Sequence, residues 1–430
     1  MVCAAILLPN ITRSVYHRTN EHAPGGLLYT ARYLPAVSRG KPWQEIGVTM
    51  RHSDTNSRYA TLDGLRGATA LLVVIVHFPS FFHLRSIEHG YLAVDLFFAM
   101  SGFVIGNAYD RKLASGALSW RQYVVLRLIR LYPLYCAGVA LGVVALMLRL
   151  PASDWTLLAS ALPASVLMLP SHVALPTFYP EPTVYHFFYP LDFPAWSLFS
   201  ELVASICYGL FFRYLTTRTL VAIMCASGLV LMIAAFTCGI NCGVYWKTFY
   251  VGFARLGYAF PAGLLLYRFR RPSRTHGNLA AIAVVLLAIG MLSMPWPTSG
   301  QSAFDLLLSL VVLPATVWAA TRAEPSQRLL PLFAFSGAVS YGIYVLHVPF
   351  QFIVGDLVLR TNLLHHPTRV TAAVLLPGIV LLAWCAERYY DAPVRRALLS
   401  RTRNRLAVHP VSAAADDASP HDHTRIVGET

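Results

Sequence analysis

Within LDGLRGATALLVVIVH (residues 62–77), Arg66 and His77 stand eleven residues apart. On an α-helix, eleven residues turn through about 1,100°, so both side chains fall within about 20° of one face, about 16 Å apart along the axis. A guanidinium stays charged and suits phosphate, whereas an imidazole can take and return a proton near neutral pH. One helix therefore offers an anion anchor and a general base to a single cavity. Snorkelling of Arg66 to a lipid surface, with His77 serving a helix contact, would explain each residue alone but not their shared face.

Three further segments carry comparable groups. RQYVVLRLIRLYPLY (121–135) sets Arg127 and Arg130 at i,i+3 on one face. Simple anchoring of a basic helix end accounts for them almost as well as a phosphate-binding cluster with Arg66 does. WSLFSE (196–201) brings Ser197 and Glu201 to one face behind Trp196, and SYGIYVLH (340–347) places Ser340 and His347 two turns apart, about 10 Å along the axis. Glu201 has no neighbouring Lys or Arg in sequence and needs a partner from another helix. His77, at the same expected depth, is the candidate. His77, Glu201 and His347 then form a proton-transfer layer, with the arginines at another depth. Asp63 and Asp95 read as helix-end or helix-contact residues.

The elements that must hold these groups are apolar. Of the 430 residues 56% are hydrophobic and only 13% charged, and the mean hydropathy is +0.54; soluble domains run nearer 45–50% and 25%. Apolar segments of roughly 17–25 residues match a ~30 Å hydrocarbon core. The fold class is therefore all-α, a polytopic membrane bundle of about ten helices. Spans are expected near 60–83, 91–109, 125–149, 196–214, 219–240, 248–268, 279–295, 303–321, 333–356 and 370–388. The apolar stretch 155–170 is short and interrupted by prolines. If it does not cross, the basic connections (Arg111/Lys112/Arg121, Arg213/Arg218, Arg268/Arg270/Arg271/Arg274, Arg322/Arg328 and the Arg-rich tail) all fall on one side, which would be cytoplasmic with both termini. The segment is then re-entrant or packed within the protein.

Residues 1–57 read as a polar, basic extension in which translation could begin at Met50, and 397–430 as a disordered cytoplasmic tail. The opening apolar stretch is too short for a signal peptide. A formal charge of +14 resides in connections and ends rather than in a basic soluble domain, which argues against nucleic acid as a partner. The seven cysteines lie mostly in apolar stretches; Cys238 and Cys242 flank a loop and could pair in an oxidising compartment.

Six segments in this order, LDGLRGATALLVVIVH (62–77), VDLFFAMSGFVI (94–105), YVVLRLIRLYPLY (123–135), WSLFSE (196–201), SYGIYVLH (340–347) and ERYYDAPVRR (387–396), resemble the acyltransferase-3 family of polytopic membrane acyltransferases. The likeness covers about residues 58–396. It implies transfer of an acyl group, usually from acetyl-CoA, to hydroxyls of envelope polysaccharides, glycolipids, peptidoglycan or secondary metabolites. The family's Arg-x10-His pair matches Arg66 and His77, and its basic motif matches Arg127 and Arg130. Leu126 stands where the family often has another arginine, and Leu202 and Val203 replace the polar residues that usually follow the Glu. Many members carry a C-terminal SGNH-type domain, for which the segment after 396 is too short.

The resemblance implies that cytoplasmic acyl-CoA is held at its phosphates by Arg66, Arg127 and Arg130. His77 then acts as general base on a hydroxyl of a carbohydrate or glycolipid acceptor at the outer side, with Glu201 orienting it and His347 able to relay the acyl group. Ser197, Trp196 and Ser340 support the site. Acyl-CoA is the expected cosubstrate, membrane lipid surrounds the chain, no metal is expected, and the location is a bacterial inner membrane. The alternative is a proton-coupled transporter or flippase, which would place its polar site at the midplane between broken helices.

Overall fold

A computed structural model describes residues 59–77, 87, 89–173, 175, 187–243, 245–270, 275–295, 300–361 and 367–407. The expected basic extension with Met50, and most of the expected tail, lie outside them. The helices are α1 (Ala60–His77), α2 (Ala93–Ala114), α3 (Trp120–Arg149), α4 (Trp155–Val166), α5 (Ala195–Phe211), α6 (Thr217–Thr237), α7 (Phe249–Arg268), α8 (Asn278–Leu292), α9 (Gln301–Ala320), α10 (Leu330–Thr361), α11 (Pro367–Cys385) and α12 (Ala392–Ala407). Nine helices among the described residues are long and apolar enough to cross a membrane, and α8 adds a shorter apolar helix of 15 residues. The all-α polytopic bundle read from the sequence is the observed fold.

Local sequence sets several helix ends. Ser119 and Gln122 form a reciprocal capping box that starts α3, and the Thr216 hydroxyl caps α6. The α4 helix has 12 residues, about 18 Å by its rise, which is well short of a hydrocarbon core. It packs beside α3, whose Tyr132 and Tyr135 hydroxyls donate to the Val166 and Ser165 carbonyls. One expectation is corrected at the other end of the chain. The α11 helix passes through a π-helical turn (Ala386–Asp391) and continues as α12 to Ala407, so residues 397–407 are helical rather than part of a disordered tail. Alanine, leucine and arginine in that stretch are good helix formers and extend the ladder already begun.

The centre of the bundle is α1 packed along α10, whose most apolar stretch is 78% buried against 28% for α6. Glycines allow the close approach: a Cβ on Gly64 or Gly67 would strike Phe333 or Ser336, and one on Gly337 would strike Asp63. The α2–α7 contact repeats the device, with Gly102 against the Phe260 carbonyl and Gly263 against the Ala99 carbonyl. Small residues of this kind let membrane helices gain dispersion contacts that lipid cannot offer less closely packed surfaces. Two short parallel strands, β1 (Thr275–His276) and β2 (Ala323–Glu324), tie the starts of α8 and α10 together. Glu324 accepts from the Ala60 amide at 3.0 Å, anchoring α1 to the same corner.

At the opposite end of α2 lies a buried polar network. Arg255 of α7 donates from Nε to Asp95 Oδ1 at 2.7 Å and from Nη2 to the Tyr91 carbonyl at 2.9 Å. Ser309 donates to Asp95 Oδ2 at 2.7 Å. Asp305 accepts from Tyr91 at 2.8 Å and pairs with His89 Nδ1 at 2.5 Å. Asp95 therefore is the helix-contact residue expected, and its partner is a lone arginine in an apolar span. Arg255 is 2% exposed, so removing Asp95 strands a buried cation at a cost of about 3–5 kcal/mol. Asp95→Ala is expected to lower the detergent melting temperature sharply, and Asp95→Asn by less; a thermal unfolding series on the purified protein measures both.

Candidate functional site

A cavity of about 150 Å³ runs between α1, α2, α3, α5 and α10. Arg66, Arg127 and Arg130 line one end of it, while Ser101, Ser197, Glu201, Ser340, Tyr341 and Tyr344 line the rest among apolar side chains of α2. The three arginines picked out by periodicity are thus brought to one space. Their commitments differ. Arg66 is half-buried and has no hydrogen-bond partner among the described residues. Arg127 is 9% exposed and donates from Nη2 to Glu201 Oε1 at 2.6 Å. Arg130 lies over the Tyr341 ring, 5.6 Å from its centroid, with Nη1 3.8 Å from Asp391 Oδ2.

The pairing of Glu201 corrects the expectation that it orients His77. Its Oε1 accepts from Arg127 and also from the Ser101 hydroxyl at 2.7 Å, so the carboxylate belongs to the arginine end. The cause is where α5 begins. The segment leading into it is buried at Phe188, Tyr189, Leu191 and Asp192, and the Pro194 carbonyl meets the Tyr344 hydroxyl inside the bundle. The helix starts deep, and its first two turns carry Glu201 down to Arg127. An ionised carboxylate in that low dielectric requires a cation, and Arg127 supplies it.

His77 and His347 are brought together as expected, with His347 Nε2 3.1 Å from His77 Nδ1. Their tautomers follow from their other partners. His77 Nδ1 is 2.9 Å from the Val73 carbonyl, and His347 Nδ1 is 2.7 Å from the Tyr344 carbonyl. A carbonyl only accepts, so both Nδ1 atoms carry hydrogen. His347 Nε2 then presents a lone pair to the shared His77 Nδ1–H. What is left over is the lone pair on His77 Nε2. The Phe193 ring packs edge-on against His77, 5.2 Å between centroids.

Neither His77 nor His347 lines this cavity; Ser197 and Tyr344 do, and their hydroxyls are 2.6 Å apart. Ser340 lines the cavity and donates to the Gly337 carbonyl at 2.8 Å. Trp196 stands outside it, with the Arg255 guanidinium 5.7 Å from its ring. Ser101, Tyr341, Tyr344, Asp391 and Arg395 also take part and were not singled out by spacing. Tyr344 sits inside the SYGIYVLH segment, one turn before His347. Arg395 lies in ERYYDAPVRR, where it holds Glu387 at 2.6 Å and Asp391 at 2.8 Å, next to Arg130. Cys238 and Cys242 stand 3.6 Å apart as free thiols in the loop where they were noted.

Residues 59–388 match the family described as "Acyltransferase domain". The chain is also 38% identical over 190 residues to "Protein 2 in picA locus" of Rhizobium radiobacter, a match spanning 41% of this chain and 95% of that protein. No solved structure matches the chain.

Breaking the Arg127–Glu201 pair from either side leaves one buried charge alone. Arg127→Ala and Glu201→Ala are each expected to destabilise the protein, while the double variant loses less than the sum, with a coupling of about 1–3 kcal/mol. Denaturation of the four proteins in one detergent gives that cycle.

Proposed function

The chain belongs to the acyltransferase-3 family, and we propose that it moves a short acyl group from acyl-CoA to a hydroxyl of a carbohydrate-containing acceptor. The observation that carries this reading is the order of groups through the bundle. Arginines stand at one end of a cavity, two hydroxyls close its far end, and beyond them lies an imidazole whose Nε2 lone pair is uncommitted.

In this reading the CoA phosphates meet Arg66 and Arg130 at the mouth, Arg66 being the cation with no carboxylate partner among the described residues. Arg127, neutralised by Glu201, shapes the wall. The cavity, lined by apolar side chains of α2 between the arginines and the hydroxyls, would take the thioester and a short acyl chain. Separation of the Ser197 and Tyr344 hydroxyls would admit the thioester carbonyl to the imidazole layer, where either hydroxyl could donate to the developing oxyanion. His77 Nε2 takes the acceptor's proton as the oxygen attacks the thioester carbon. His347 holds the His77 ring through Nδ1–H and shares the charge that forms there; with its own Nε2 so engaged, it serves better as a partner than as an acyl carrier. The acceptor approaches from the imidazole side, which with the basic connections on the other side makes that the outer face of a bacterial inner membrane and leaves both termini cytoplasmic.

A positioned base contributes about 10²–10⁴-fold. His77→Ala is therefore expected to retain acetyl-CoA binding while losing nearly all release of free CoA, and Arg66→Ala to weaken binding without lowering the melting temperature. Calorimetry and chromatographic detection of CoA, with the protein in nanodiscs, measure both. Absence of acetyl-CoA binding in the folded wild type would overturn the reading.

A further inference from the structure

Asp192 lies three residues ahead of α5 and is 2% exposed. Neither carboxyl oxygen has a hydrogen-bond partner among the described residues. The other buried acidic side chains each have a cation or a donor: Asp95 has Arg255, Asp305 has Tyr91 and His89, Glu324 has the Ala60 amide, and Asp391, whose oxygens also lack a hydrogen bond, is ion-paired with Arg395 at 2.8 Å. A Cβ on Gly138 of α3 would lie 3.4 Å from Asp192 Oδ2 and would also press on Val345, two residues before His347. The next residue, Phe193, packs on the His77 ring. The carboxyl thus sits against α3 at Gly138, one residue before the ring that packs on His77.

Its neighbours cannot rotate in to satisfy it. The titratable groups coupled to it are Tyr135 of α3 and Tyr341 and Tyr344 of α10. Tyr135 donates to the Ser165 carbonyl at 2.5 Å, Tyr341 to the Leu131 carbonyl at 2.6 Å, and Tyr344 is held by Ser197. Of the other carboxylates that act on these tyrosines, Glu201 is held by Arg127 and Asp391 is ion-paired with Arg395. Burial without a donor pushes the Asp192 carboxyl well above the usual carboxylate range.

We propose that Asp192 is the proton donor to the departing thiol of acyl-CoA, its unfilled hydrogen-bonding capacity being taken up by the bound thioester end. The assignment rests on the acyl-transfer reading above. The acceptor's proton passes to His77 Nε2 as its oxygen bonds to the acyl carbon. The carbon–sulfur bond breaks, and the thiolate takes the proton of the Asp192 carboxyl. An ester and free thiol result, with imidazolium and carboxylate left in one buried pocket. Return of the proton from imidazolium to carboxylate resets both groups, so the sum is alcohol plus thioester giving ester plus thiol.

The test uses the full chain in nanodiscs with acetyl-CoA as donor and water as acceptor, following free CoA against pH. Wild-type activity should fall as pH rises through the raised Asp192 pKa, because the acid must be protonated. Asp192→Asn, close in shape to the neutral acid, should lower kcat about 10²-fold or more with KM for acetyl-CoA unchanged, and should lose that alkaline limb. Asp192→Glu should recover part of the rate and the limb. Asn at wild-type kcat with a wild-type pH profile overturns the proposal, and so do Asn and Glu variants equally impaired at normal melting temperature, which indicates a role of shape. Failure of the wild type to bind acetyl-CoA defeats the acyl-transfer reading itself, whereas binding and turnover unaffected by Asp192→Asn defeat only the role of Asp192.

Discussion

Glu201 cannot remain ionised in an apolar bundle without a cation, and the one it takes is Arg127. That single pair fixes the relation of α3 to α5 at 2.6 Å, and Ser101 adds α2 to the same carboxylate oxygen. Three helices are thereby registered around one point, and the cavity opens beside it. The buried approach to α5 follows from the same requirement, since only a helix that begins deep delivers its seventh residue to Arg127. Charge pairing in low dielectric is costly to assemble and more costly to break, so it specifies an arrangement even where it adds little net stability.

From that registration the polar groups sort into layers. Arg66, Arg127 and Arg130 occupy one end, the Ser197–Tyr344 hydroxyl pair closes the middle, and the two imidazoles lie beyond. The imidazole layer borrows its order from the backbone. Carbonyls of Val73 and Tyr344 accept from both Nδ1–H groups and so select that tautomer, leaving one lone pair pointing away from the pair. No carboxylate is needed to select the tautomer, which is why Glu201 is free to serve elsewhere. Oriented side chains on packed helices hold such geometry better than loops do, and glycines bring α1 and α10 into close contact.

Much of this was legible in the sequence because helical periodicity is a strong signal. The convergence of three arginines, and of His77 with His347, follows from spacing and a consistent count of depth. Depth misled in the case of Glu201, because the count assumed that α5 starts at the membrane surface. Nothing in LDFPAWSLFSE announces that the chain is already buried at Leu191 and Asp192. Asp192 and Arg255 have no spacing to other polar residues that sets them apart. Their importance lies in which partners they have or lack, and that is a property of tertiary neighbours that no spacing encodes. The continuation of α11 into α12 was hidden for a different reason: a charged, polar helix has no apolar period to reveal it.

The Ser197–Tyr344 contact has a bearing beyond catalysis. On the proposed reading an acyl group crosses the bilayer, and it must do so without passing ions, because a continuous wet path would short-circuit a proton gradient. Between the arginine cavity and the imidazoles the interior is sealed by two hydroxyls and the rings around them, Phe97 packing edge-on against Tyr344. On that reading the contact would act as an insulator at rest, and it would limit how far the middle of the bundle can drift toward polarity before the host membrane begins to leak.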